Sequence, residues 1–205
     1  MVRQFILGVW LFFMLSNVVA DILPDIAKGR EKSSVCVVCH GDDGNSVVAA
    51  WPKIAGQSER YLTEQLKEFR KGQQGNRFNA VMYGIVQALT DQDIADLAAF
   101  YAAQKPTPGV VEERWVSTGE KIFRGGNSTS GVPACAGCHD PKGLGNALAG
   151  FPPLSAQQSD YVIEQLKAFK SGARLNDPNQ IMQDITKRMT DDEIEAVGHY
   201  VSGLQ

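Results

Sequence analysis

Apolar residues along the chain recur at helical spacing. Leu62, Leu66 and Phe69 fall at i, i+4 and i+7, and Val162, Leu166 and Phe169 repeat that stripe later in the chain. Ile94, Leu97 and Tyr101, and then Ile194 and Val197, form a second pair of stripes. A helix-start signal precedes each of these: Thr90 with Asp93, and Thr190 with Glu193, a hydroxyl followed three residues on by a carboxylate. Ser117 with Glu120 has a similar form and predicts a further cap, on a helix running through Ile122 and Phe123 towards Gly125-Gly126. No run alternates convincingly with period two, so the pattern predicts an all-α fold with little sheet.

The start of the chain departs from this amphipathic pattern. Arg3 is followed by Phe5 to Leu15, apolar throughout apart from Gly8, and then by Ser16, Asn17 and the small-residue ending Val18-Val19-Ala20. The apolar run is shorter than the roughly 20 residues that span a bilayer. Residues 1–20 therefore read as a signal peptide cleaved after Ala20, which leaves Asp21 as the mature N-terminus. No other long apolar stretch exists, so the mature protein is expected to be soluble. Export places it in an oxidising compartment, where unused free thiols rarely persist.

An internal repeat organises the rest of the chain. Cys36-Val37-Val38-Cys39-His40 recurs as Cys135-Ala136-Gly137-Cys138-His139, and Trp51-Pro52-Lys53-Ile54 recurs as Phe151-Pro152-Pro153-Leu154. Tyr61, Gln65, Leu66, Phe69 and Gly72 return as Tyr161, Gln165, Leu166, Phe169 and Gly172, and Leu89-Thr90-Asp91 as Met189-Thr190-Asp191. So long a period describes a duplicated domain. The expected boundaries are 21–104 and 111–205, with Lys105-Pro106-Thr107-Pro108-Gly109 inside a Pro-rich linker at 105–110 that cannot continue a helix.

Charge and composition narrow the class. The 205 residues carry a formal net charge of -3, with Lys and Arg interspersed among Asp and Glu. There is no basic stripe, which argues against nucleic acid as a partner. Domains this small have modest cores and often need a staple, and a covalent haem would provide an apolar plate for short helices to pack around.

Cys-x-x-Cys-His is the usual site of c-type haem attachment. Two thiols at i and i+3 lie on one helical face and can add to the two vinyl groups on one edge of the porphyrin. The next histidine then reaches the iron. Cys36, Cys39, Cys135 and Cys138 are thus assigned to two covalent haem c groups, with His40 and His139 as proximal ligands. A four-thiolate zinc site would leave both histidines unexplained, and a thioredoxin-like dithiol needs a strand-helix-strand pattern that is missing.

Met82 and Met182 each stand eight residues before the recurring Thr-Asp and form the natural pair of sixth ligands. Met/His ligation fills both axial positions and suits electron transfer rather than turnover of peroxide or oxygen. Met189 aligns with Leu89 and is assigned to packing; His199 aligns with Ala99 and receives no role. Pro52 and Pro152 come after the histidines at nearly equal distance, and their carbonyls could orient the imidazoles, with a simple turn proline as the alternative. Tyr61 and Tyr161 could donate to a haem propionate or simply pack between helices. Lys67, Arg70, Lys71, Lys167 and Lys170 read as a solvated face.

With these residues assembled, the chain closely resembles the cytochrome c4 family of bacterial di-haem cytochromes over essentially its whole mature length. The two CxxCH motifs, Pro-x-Ile-Ala-Gly-Gln at 52–57, Phe-Arg-Gly-Gly at 123–126, Gly-Phe-Pro-Pro-Leu at 150–154 and the two methionine positions carry that resemblance. It implies two tandem class I cytochrome c domains, each wrapped around one covalent haem, with haem propionate edges facing across the interface. It further implies a periplasmic, non-enzymatic shuttle, sometimes loosely associated with the membrane. Donor and acceptor would be a quinol-oxidising cytochrome bc complex, or a dehydrogenase, and a terminal oxidase. The alternatives are the di-haem cytochrome subunit of a dehydrogenase, such as a flavocytochrome that oxidises sulfide, and a di-haem peroxidase, against which Met82 and Met182 speak.

Overall fold

A computed structural model describes residues 22–204. The leader expected at residues 1–20 lies outside them. Ten α-helices and two short 3₁₀ turns make up the described residues, with three isolated β-bridges and no extended strand among them.

The first domain consists of α1 (Ile26–Lys32), α2 (Ser34–His40), α3 (Glu59–Arg70), α4 (Ala80–Val86) and α5 (Asp91–Ala102). The second repeats the order with α6 (Glu113–Gly125), α7 (Ala136–His139), α8 (Ser159–Ser171), α9 (Ile181–Thr186) and α10 (Asp191–Ser202). The helix-start signals ahead of α5 and α10 both form reciprocal caps. Thr90 N–H donates to Asp93 Oδ2 at 2.9 Å and Asp93 N–H returns to Thr90 Oγ1 at 3.1 Å. The Thr190–Glu193 pair does the same at 2.8 and 3.2 Å. Ser117 is not a cap: α6 starts four residues earlier, after Glu112, and Ser117 lies inside it. Once past Pro108-Gly109 the chain meets no further breaker, and Glu113 supplies the acidic first turn that favours a helix start.

Each domain is built on one close crossing, α1 over α5 and α6 over α10. Gly29 makes the first possible, because a Cβ there would collide with the Asp96 carbonyl and the Phe100 side chain. Gly119 makes the second, where a Cβ would meet Tyr200 and the Ala196 carbonyl. Behind these crossings lie the cores: Leu62, Leu97, Ala98, Phe100 and Tyr101 in the first domain, and a larger cluster including Phe123, Val162, Met189, Ile194, Val197 and Val201 in the second. Met189 is buried there, at 3% exposure. The basic residues on α3 and α8 pair inside their own domains, Arg70 and Lys67 with Asp91, and Lys170 with Asp191.

The domains meet through matching residues. Gln157 accepts from Lys53 N–H at 2.8 Å and donates to the Lys53 carbonyl at 2.7 Å, while Gln57 donates to the Pro153 carbonyl at 3.1 Å. Leu175 N–H donates to the Asn76 carbonyl at 2.8 Å, beside an antiparallel bridge between Arg77 and Arg174.

Candidate functional site

In both domains the histidine sits at the C-terminal end of a short helix, and a residue of positive φ, Gly41 (80°) or Asp140 (73°), then turns the chain away. The next loop is pinned by one carbonyl. Gly44 C=O accepts from the N–H groups of Ile54 and Ala55, and Gly143 C=O from those of Leu154 and Ser155. Both glycines have positive φ, 82° and 70°, where a side chain would be strained. The pinned segment carries the proline carbonyl alongside the imidazole. His40 Nδ1 lies 2.8 Å from Pro52 O, and His139 Nδ1 lies 2.9 Å from Pro152 O. A carbonyl only accepts, so Nδ1 carries the proton and Nε2 keeps its lone pair. Burial holds both imidazoles below the ordinary histidine pKa, which the proline carbonyls partly oppose, and a neutral ring is the form that binds a metal.

One cavity of about 670 Å³ runs through both domains and is predominantly apolar. Its walls include Cys36, Cys39, His40 and Met82 of the first domain, and Cys135, Cys138, His139 and Met182 of the second. Pro52, Pro152, Tyr61 and Tyr161 line it as well. No disulfide joins the four cysteines. Burial pushes the Cys135 thiol up to about 11 and also raises that of Cys36. No group of three or more His, Cys, Asp or Glu side chains is placed to hold a metal among the described residues. The cysteine pairs remain in separate domains, each with its own histidine. An apolar cavity with two thiols, a neutral imidazole and a thioether on its walls fits a covalent haem in each domain.

The methionines sit on equivalent helices entered differently. On α4 the Asn79 side chain accepts from Met82 N–H at 3.0 Å. On α9 the chain enters through Asn179 and Gln180, both at positive φ (56° and 58°), and Asp177 accepts from Gln183 N–H instead. His199 lies outside the cavity and stacks on Trp115, with ring centroids 5.0 Å apart.

Motifs and spacing do not single out the polar residues where the two halves of the cavity meet. Arg77 donates to Gln65 Oε1 at 2.6 Å, to the Tyr161 hydroxyl at 2.6 Å and to Gln165 Oε1 at 3.0 Å. Arg174 donates to Gln165 Oε1 at 2.9 Å, to the Tyr61 hydroxyl at 2.8 Å and to Gln65 Oε1 at 3.2 Å. The guanidiniums also lie over Phe69 and Phe169. The recurrence of Tyr61 and Gln65 as Tyr161 and Gln165 is the one trace of this network in the sequence.

Comparison with known proteins accords with this geometry. Residues 26–104 and 116–205 each match the family model described as Cytochrome c. Helices, cavity and motifs thus define a di-haem protein of two class I cytochrome c domains, holding two covalent haem c groups. A cytochrome c4 from Thiocapsa roseopersicina is 46% identical, over 88% of this chain and 93% of its own. The crystal structure of reduced recombinant cytochrome c4 from Pseudomonas stutzeri superposes with a TM-score of 0.87 at 41% identity, covering 89% of this chain and all of that one. A thiosulfate dehydrogenase electron acceptor from Stutzerimonas stutzeri is 36% identical, over 82% of this chain and 78% of its own. The chain belongs to the cytochrome c family and, within it, to the di-haem cytochrome c4 electron-transfer proteins.

Proposed function

We propose that the chain is an exported electron carrier that takes electrons from a quinol-oxidising cytochrome bc complex or a dehydrogenase and delivers them to a terminal oxidase in the periplasm. One observation carries this reading: each domain brings the same set, two thiols, a carbonyl-held imidazole and a methionine, to the walls of one shared cavity. Bound haem supplies a one-electron ferric/ferrous couple. Cys36 with Cys39, and Cys135 with Cys138, would hold the two groups as thioethers. Pro52 and Pro152 fix the tautomer and rotation of His40 and His139, so the ligand needs no rearrangement when the iron changes charge. Met82 and Met182 would close the sixth positions against peroxide and oxygen, which makes the protein a carrier rather than an enzyme. Among the described residues no helix is long and apolar enough to cross a membrane. The leader expected at residues 1–20 supplies export, and any membrane association is peripheral.

The test is optical. The purified holoprotein should contain two haems per chain by pyridine haemochrome and show the far-red band of methionine bound to ferric iron. Met82→Ala and Met182→Ala should each remove about half of that band. A high-spin signal from the unsubstituted protein, or a band insensitive to one substitution, would reject two closed sites and favour a peroxidase. The relative that accepts electrons for a thiosulfate dehydrogenase supports a second reading, service to one dedicated dehydrogenase. Stable co-purification with such an enzyme would select it.

A further inference from the structure

Arg77 and Arg174 are each about 6% exposed, yet neither forms an ion pair among the described residues. Every hydrogen-bond partner of either guanidinium is a neutral oxygen: a tyrosine hydroxyl, a glutamine amide or, for Arg174, the Asn176 amide. An uncompensated buried cation is strongly disfavoured, and here two stand together on the wall of a predominantly apolar cavity. Each tyrosine hydroxyl already accepts from an arginine, which leaves its own proton for a further acceptor. Two buried cations and two spare hydroxyl protons on one cavity wall call for anionic oxygens from a bound group.

The bound group has them. In haem c the thioether bonds occupy one side of the ring, and two carboxylates occupy the other. With the cysteines of each domain at the thioether side, the carboxylates would lie on the side away from them, and the unpaired cations of the same cavity stand where the domains meet. The pairing is also crossed: Arg77 of the first domain is held by Tyr161 of the second, and Arg174 of the second by Tyr61 of the first, with Gln65 and Gln165 each serving both.

We propose that Arg77 and Arg174 form a single carboxylate clamp shared by the two haem sites, so that each guanidinium sets the reduction potential of both irons. The proposal rests on the two-haem carrier reading. A positive charge favours the reduced state of a nearby iron, so its removal lowers the potential. Because both arginines are anchored in both domains, removing one lowers both potentials together.

Spectroelectrochemical titration of holoprotein tests this, with NMR of the methionine methyl groups assigning each potential to its domain. Arg77→Gln should lower both midpoints, each by about tenfold in its redox equilibrium, or about 59 mV for one electron. Arg77→Lys, which keeps the charge, should restore more than half of each shift. If Arg77→Gln yields no holoprotein, Tyr161→Phe replaces it, and both midpoints should fall by a smaller amount. A fall confined to the first domain overturns the sharing. Unmoved potentials with a lowered melting temperature overturn the clamp and leave only packing. In either case two haems per chain and an intact methionine band keep the carrier reading standing, whereas loss of that band would count against the carrier itself.

Discussion

A single carboxylate closes two contacts at Asp93. It accepts the N–H and O–H of Thr90, completing the cap of α5, and it pairs with Lys32 from the end of α1. Lys32, and after it the Thr90 bonds, hold its pKa at about 2, below the ordinary 3.8. The folded state therefore favours the ionised form. This stabilisation is complete above about pH 4 and is lost as pH falls towards 2. Asp93→Asn should lower the melting temperature at neutral pH, and its deficit against the unsubstituted protein should shrink in scans from pH 4 to 2. A constant deficit would show that the cap geometry matters and the charge does not. At this scale the sequence is legible where chemistry sits in contiguous motifs. The haem-attachment motifs and both capping boxes are of this kind. Arg77 and Arg174 are hidden because they do not align in the repeat: they stand five and two residues after Gly72 and Gly172. Only folding makes them equivalent.

The crossings at Gly29 and Gly119 decide how the helices assemble. An alanine in a helix is intrinsically better than glycine by about 1 kcal/mol. At Gly119 that gain is opposed by overlap with Tyr200 and Ala196, an overpacking cost of about 1–3 kcal/mol. Gly125, near the end of the same helix, has open space around its Cβ position. Gly119→Ala should thus destabilise the second domain in thermal unfolding, and Gly125→Ala should leave it unchanged or slightly more stable. Equal behaviour of the two would mean that α6 and α10 can separate at no cost. Stripes and caps locate the helices at sequence level, since both are periodic or local signals. The start of α6 escapes them because Ser117 and Glu120 imitate a cap inside a helix whose start carries no side-chain cap bond. The crossing glycines have no local signature, since what excludes a side chain there comes from another helix.

For the molecule as a whole, one domain is held against the other by polar groups at matching positions in the two copies. Gln157 is buried and spends both ends of its amide on the Lys53 backbone across the interface. Gln157→Ala would leave the partly buried Lys53 N–H and carbonyl without these partners, at about 1–3 kcal/mol. Calorimetry of the holoprotein should then resolve two transitions, one per domain, in place of a merged one. A single transition at unchanged temperature would show that the clamp side of the interface suffices. The duplication is plain from the sequence, but the surface joining the copies is not. Contacts between residues about a hundred positions apart leave no periodic trace in one chain.

The crossed contacts have the form of a two-fold dimer: a residue of one half reaches its counterpart's neighbour in the other, and the reverse. Such a patch is self-complementary, so either half presents a surface suited to a second molecule as well as to its own partner. What favours the internal pairing is the tether between Ala102 and Glu113, which keeps the second half at a high effective concentration beside the first. Shortening that tether until it no longer spans the interface would redirect the same contacts between molecules. The product would be an exchanged pair of chains that preserves every contact across the interface.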